Sequence, residues 1–175
     1  MDGLNAASAD PAIRAAVLTG AGDRAFCAGA DLSSGSGSFK YDYSKVGVAF
    51  VRLMKTARDL TLPLLARVNG HAMAGGMGML GMCDMAIATD NAIFGMPEVK
   101  VGVFPLQIMA VLQRLIPPRK CYEMALTGEP ISAQEALDLG LLNYVVPAAE
   151  LDAKVEWLLN RMLDKSPTAI RRGKY

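Results

Sequence analysis

The sequence predicts an α/β fold, and three observations carry that prediction. Short apolar runs rich in β-formers alternate with segments of helical periodicity. Glycines and turn pairs punctuate them at close intervals. The chain, at 175 residues, is long enough for one domain with its own core.

In chain order, Asp10-Pro11 in ADPAIR signals a turn or a helix start. AAVLTGAG (Ala15–Gly22) reads as a buried strand ended by glycine. SSGSGS (Ser33–Ser38) is a low-complexity stretch that reads as a mobile loop. Between Tyr43 and Leu60, Val46, Phe50, Leu53, Met54 and Ala57 recur at helical spacing. LPLLARV (Leu62–Val68) is a second buried strand, stopped by Asn69-Gly70. DMAIAT and AIF read as short strands split by an Asp90-Asn91 turn. Leu106 to Leu115 is helical, led by Pro105. Ser132 stands three residues ahead of Glu135 as a capping box, with Gly140 as the stop. NYVVP is a further strand, and Leu151 to Leu163 an amphipathic helix. No internal repeat is visible.

Composition excludes several function classes. The chain is 52% hydrophobic and 20% charged with a net charge of +1, which gives no electrostatic footprint for nucleic acid or an anionic membrane. No stretch approaches the ~20 apolar residues of a membrane span. No charged-then-apolar leader opens the sequence, so a cytoplasmic location is expected. Cys27, Cys83 and Cys121 fit neither a disulfide framework nor a zinc site. Eleven methionines are many, and they suit either irregular core filling or a greasy ligand tunnel.

Three stretches carry possible chemistry. In VNGHAMAGGMGMLGMCD (Val68–Asp84) five glycines sit where a buried strand gives way to a helix starting near Gly75 or Gly76. Free N–H groups at a helix start attract an anion or a polarised carbonyl, and glycine allows close approach. The pattern is neither GxGxxG nor a P-loop, and tight helix-on-sheet packing by small residues explains it equally well. In AFCAGADLSS (Phe26–Ser34), Ala28, Gly29 and Ala30 are small enough to expose backbone, or simply form a turn. In FGMPEVKVG (Phe94–Gly102), Glu98 lies among apolar residues, where a carboxylate's pKa rises and suits acid/base work; the alternative is a first-turn Glu complementing a helix dipole. The single histidine, His71, has no nucleophile elbow beside it and reads as a surface or supporting residue, and Glu123 as structural.

Taken in order, AFCAGADL, VNGHAMAGGMGML, CDMAIATDNAIFGMPEVKVG and MALTGEPISAQEALDLGLLNYVVP resemble the crotonase superfamily of enoyl-CoA hydratases and isomerases, over nearly the whole chain from Ala15. The resemblance implies a crotonase (ClpP-like) spiral of repeated ββα units over 1–116, with a truncated helical C-terminal region over 117–175. It implies an oxyanion hole for the thioester oxygen of an acyl-CoA, built from the backbone N–H groups of Ala30 and Gly75. It makes Glu98 the catalytic carboxylate. Ala28, Gly29 and Gly76 would meet the substrate, the backbone near Ala28 would receive the adenine end of CoA, and Arg24 a phosphate. No metal or redox cofactor is implied, because CoA is part of the substrate, and the family's usual assembly is a homotrimer, often paired into a hexamer.

The sequence departs from the family pattern in three places. The first of the hydratases' two glutamates falls on Gly78, which leans the expectation towards isomerisation of 3-enoyl- to 2-enoyl-CoA by Glu98 alone. A true hydratase, with Gln107 or another group completing the water site, is the alternative within enzymes. A non-catalytic acyl-CoA-binding paralogue is the alternative outside them. After Pro105 the chain reads LQIMA, so Leu106, Ile108 and Met109 are expected to narrow or grease the acyl pocket. The family's opening strands are absent ahead of Met1, and the chain stops inside its closing helical region.

Overall fold

The computed structural model describes residues 1–30 and 49–174. Within them the strands form two four-stranded sheets, ordered β1-β3-β5-β8 and β2-β4-β6-β7. The strands are β1 (Ala16–Thr19), β2 (Ala25–Cys27), β3 (Leu64–Val68), β4 (His71–Met73), β5 (Met85–Thr89), β6 (Ile93–Gly95), β7 (Ile131–Ser132) and β8 (Tyr144–Val146). Successive pairs, β1/β2, β3/β4 and β5/β6, send one strand to each sheet. All contacts between these pairs are parallel, Ala16 to Leu64 and Leu65 to Met85 in the first sheet, Ala72 to Phe94 in the second. Parallel neighbours need a crossover, and α2 (Ala49–Arg58) and α3 (Gly75–Gly81) supply it. This is the expected spiral of ββα units.

The first sheet is covered on both faces, as parallel sheets generally are. Alternation along β3 and β5 turns Leu65 and Ile87 towards Leu151, Val155 and Leu158 of α7 (Leu151–Leu163). Their neighbours Ala66, Val68, Ala86 and Ala88 face the main core with Phe94 of the second sheet. That core is completed by Met77 of α3, Leu112 of α4 (Leu106–Leu112) and Met124 of α5 (Pro118–Thr127). Met77, Met96, Met109 and Met124 are all buried, so these methionines serve as core filling.

The capping box forms as expected at the start of α6 (Ala133–Asp138). Ser132 Oγ accepts from the Glu135 N–H at 3.2 Å, and Glu135 Oε2 accepts from the Ser132 N–H at 2.8 Å. Ser132→Ala should therefore cost about 1 kcal/mol, measured as a lower denaturation midpoint.

Several expectations change. The largely helical region after residue 116 carries two short strands: β8, the expected NYVVP strand, pairs with β5, and β7, which was not foreseen, pairs antiparallel with β6. Each sheet thus borrows its last strand from the C-terminal part. Two helices were not foreseen, α1 (Asp2–Ala9) and α8 (Pro167–Lys174), and α4 ends at Leu112 rather than Leu115. Strand β4 is hidden in the glycine stretch. The Ser33–Ser38 loop and the first turns of the helix expected from Tyr43 lie outside the described residues.

α8 is tied to the sheet by charge. Lys174 Nζ pairs with Asp84 Oδ2 at 2.7 Å and also donates to the Leu62 carbonyl, while the same Asp84 oxygen accepts from the Leu64 N–H at 2.6 Å. Beside it the Cys83 thiol is pushed up to about 12, first by burial and then by the Asp84 charge. Cys83 should therefore resist alkylation in the native state and react only on unfolding, checked by mass spectrometry with and without denaturant.

Candidate active site

Strands β2, β4 and β6 run parallel, so their C-terminal ends come out on one edge of the second sheet. Ala28-Gly29-Ala30 follows β2, Ala74-Gly75 follows β4, and Pro97-Glu98 follows β6. The spiral thus stacks strand ends that are far apart in sequence along one edge.

The first two segments touch. Gly29 has φ +99, and a Cβ there would stand 2.8 Å from Ala74 Cβ and 3.6 Å from Gly75 N, so both conformation and space require glycine. Ala30 and Ala28 are exposed, and Gly29 is half-buried. Gly75 opens α3, where no carbonyl one turn earlier can accept from its N–H. A Cβ at Gly75 would find nothing nearer than Gly29 Cα at 3.8 Å, so its surroundings are open.

Between β4 and α3 stands Ala74, with φ 51 and ψ −122, a non-glycine residue in the left-handed half of the map. Such conformations cost about 1–3 kcal/mol and persist only when over-determined by their surroundings. Here the Ala74 N–H donates to the Gly95 carbonyl at 2.9 Å and the Ala74 carbonyl accepts from the Met77 N–H at 2.9 Å. Both hydrogen bonds hold the turn that presents Gly75. Ala74→Gly should relieve the strain and stabilise the fold by about 1 kcal/mol, after the entropy lost by glycine. An unchanged urea midpoint would show that the conformation is not strained.

Glu98 is the second residue of a 3₁₀ turn, Pro97–Val101. Its side chain is half-buried, and its Oε2 is buried with no hydrogen-bond partner among the described residues. Burial pushes the carboxyl up from the ordinary carboxylate range, and a hydrogen bond from its own backbone N–H offsets this in part. A carboxyl whose charged form is disfavoured in this way is suited to acid/base work.

The other predicted positions separate. Gly76 is buried, and a Cβ there would stand 2.2 Å from the Cys27 carbonyl oxygen, so its Cα faces protein rather than ligand. Arg24 is exposed, and its carbonyl accepts from the His71 N–H at 3.3 Å. Leu106 is 71% exposed, Gln107 is half-buried, and Ile108 and Met109 lie in the core, so the expected LQIM wall is divided between solvent and interior. His71 is a structural residue: its Nδ1 accepts from the Ile93 N–H at 3.1 Å, pinning β4 to β6. Glu123 pairs with Lys120 on the surface of α5. Among the described residues no cluster of His, Cys, Asp or Glu could hold a metal ion. Sequence reasoning missed Ala74, whose strain leaves no mark in composition. It also missed the packing of Phe50, whose ring tip lies 2.7 Å from where a Cβ at Gly78 would stand and which periodicity marks only as one more apolar helical position.

A family model described as Enoyl-CoA hydratase/isomerase matches residues 1–174. The chain belongs to the enoyl-CoA hydratase/isomerase family. It is 34% identical over 174 residues to a crotonyl-CoA hydratase of Syntrophomonas wolfei, covering 99% of this chain and 67% of that protein. It is 37% identical over 163 residues to a carnitinyl-CoA dehydratase of Proteus mirabilis, covering 92% of this chain and 62% of the relative. Among solved structures, an enoyl-CoA hydratase of Mycobacterium smegmatis superposes with a TM-score of 0.92 at 34% identity, over 99% of this chain and 67% of that one. The chain thus spans about two thirds or less of the length of these three relatives. The crotonase fold of these hydratases is the fold described above. No helix among the described residues is long and apolar enough to cross a membrane.

Proposed function

We propose that the protein is an acyl-CoA enzyme that moves a carbon–carbon double bond between the 3,4 and 2,3 positions, with Glu98 as its single proton carrier. The thioester oxygen sits on the N–H groups of Ala30 and Gly75. Glu98 takes a proton from C2, the electrons pass into the carbonyl, and the enolate oxygen leans on those two donors. The same carboxyl returns the proton at C4 while the double bond settles between C2 and C3. Donors fixed before the charge develops stabilise the enolate more than the ground state, each by ~2.7–4 kcal/mol. Gly29 and Gly75 leave the backbone bare for the thioester, and the exposed backbone at Ala28 and the Arg24 side chain are the contacts for the CoA end. No metal or redox group takes part in this scheme.

The observation that supports this reading most directly is the partly buried Glu98 carboxyl, whose Oε2 has no partner among the described residues, coupled with a glycine at position 78 where a second acid would stand. Incubating the full chain with 3-enoyl-CoA tests it. Conversion to 2-enoyl-CoA at constant mass is the expected result, and a 3-enoyl-CoA left unchanged would refute the isomerase reading.

A second reading, hydration of 2-enoyl-CoA, is favoured by the hydratase and dehydratase names of the relatives. Gln107, half-buried at the start of α4, is the polar side chain available to it. A product heavier by one water would decide for hydration. A homotrimer completes the proposal. Exposed apolar side chains at Val101, Phe104 and Leu126 suit such a contact, and sedimentation equilibrium tests it.

A further inference from the structure

Gly75, Gly78 and Gly81 follow one face of α3 at intervals of three, and each looks onto different surroundings. Gly75 faces open space. A Cβ at Gly78 would stand 2.7 Å from Phe50 Cζ, 3.1 Å from Phe50 Cε1 and 3.5 Å from Ile108 Cγ1. One at Gly81 would stand 2.9 Å from Val111 Cγ1 and 3.2 Å from Leu112 Cδ2. The face passes from an open end, beneath an aromatic ring, into sealed core. Ile108, Val111 and Leu112 come from α4, but Phe50 arrives separately, from the beginning of α2 as described.

Hydration and double-bond migration make different demands on that face. Migration only shuttles one proton between two carbons. Hydration joins the oxygen of water to C3 and a proton to C2, with nothing leaving. It needs room for the water, polar partners that hold it, and a group that takes up its proton. The tip of a phenyl ring and a buried isoleucine methylene offer none of these.

Resting on the single-carboxylate reading above, we infer that Phe50 is the specificity-determining residue: its ring occupies the space over Gly78, one helical turn from the Gly75 N–H, and so excludes the water that hydration requires. Gly78 and Phe50 act as a pair. The missing side chain makes room for the ring, and the ring keeps that room dry.

The test compares the full chain with Phe50→Ala, Gly78→Glu and the double variant, each given 2-enoyl-CoA in ¹⁸O-labelled water. The double variant should form a labelled 3-hydroxyacyl-CoA at least tenfold faster than the parent, while Gly78→Glu alone should not, because its side chain has nowhere to begin. In parallel, Gly78→Ala should lower the melting temperature in the parent and lower it much less in the Phe50→Ala background. Hydration by the parent as fast as by the double variant would overturn the inference. So would a double variant that hydrates no faster than Gly78→Glu, or additive melting shifts. If the double variant does not fold, the melting cycle decides alone. Loss of 3-enoyl-CoA at constant mass, followed in the parent, reports on Glu98 separately: its absence, with hydration gained only in the double variant, would remove the isomerase reading and leave the role of Phe50 standing.

Discussion

Glu98→Gln should lose about 10²–10⁴-fold in turnover, the usual worth of a positioned proton carrier, and should at the same time melt at a higher temperature than the parent at neutral pH. Both effects come from one observation. The Glu98 carboxyl is partly desolvated, and its Oε2 has no donor among the described residues, so the charged form is held at a disadvantage. Its folded-state pKa lies above that of the unfolded chain. Between those two values the folded protein holds more protons, so stability falls as pH rises through the window, and the whole penalty stands above it. Glutamine keeps the shape and drops the charge. Its advantage should be greatest at neutral pH and vanish below the ordinary carboxylate range. The acid limb of kcat/KM for the parent should likewise lie above that range, because the base must be ionised to act. Melting curves of parent and variant that coincide at every pH would show that Glu98 is well solvated when ionised.

The second large effect distinguishes two adjacent glycines. Gly76→Ala should destabilise by about 3 kcal/mol, the upper range for overpacking, whereas Gly75→Ala should fold with a midpoint close to the parent's. A methyl at position 76 would meet Cys27 backbone, 2.2 Å from the carbonyl oxygen and 3.0 Å from the carbonyl carbon, and main chain cannot rotate aside as a side chain can. The relief would have to come from moving β2 away from α3, which drags Ala28 to Ala30 with it. Activity should therefore fall in any Gly76→Ala protein that does fold. At Gly75 the nearest atom is 3.8 Å away, an ordinary contact. Urea denaturation of both variants is the measurement. Equal midpoints would mean that the β2–α3 packing is looser than described.

These two glycines show how far the sequence could be read. The density of glycine between Val68 and Asp84 announced that backbone must approach something closely, and it does so in two ways. Gly76 meets protein, whereas Gly75 meets open space. Composition could not separate them, because the difference lies in which way each Cα faces around the first turn of α3. Local signals were read well where the physics is local. The Ser132–Glu135 box and the limits of α7 lie where the sequence placed them. The three residues of β4 were missed because a strand that short has no periodicity to detect. α8 was missed because its anchoring depends on Lys174 reaching Asp84, ninety residues earlier. The partial burial of Glu98 was legible from its apolar setting. Phe50 was not, because nothing in the chain links position 50 to position 78 until α2 and α3 are packed.

The alternation of strands between two sheets also has a consequence for how the protein is made. Ala25 finds its partner at His71, and Ala72 finds its own at Phe94, so neither β2 nor β4 pairs with its immediate successor in the chain. A ribosome releasing this polypeptide delivers the Ala30 segment, then the Gly75 segment, then Glu98, each useless until the next rung has closed behind it. Parallel pairings of this kind are slow to form because loops must close before they are rewarded. The candidate site therefore comes together late, and a nascent chain halted before β6 would be without Glu98.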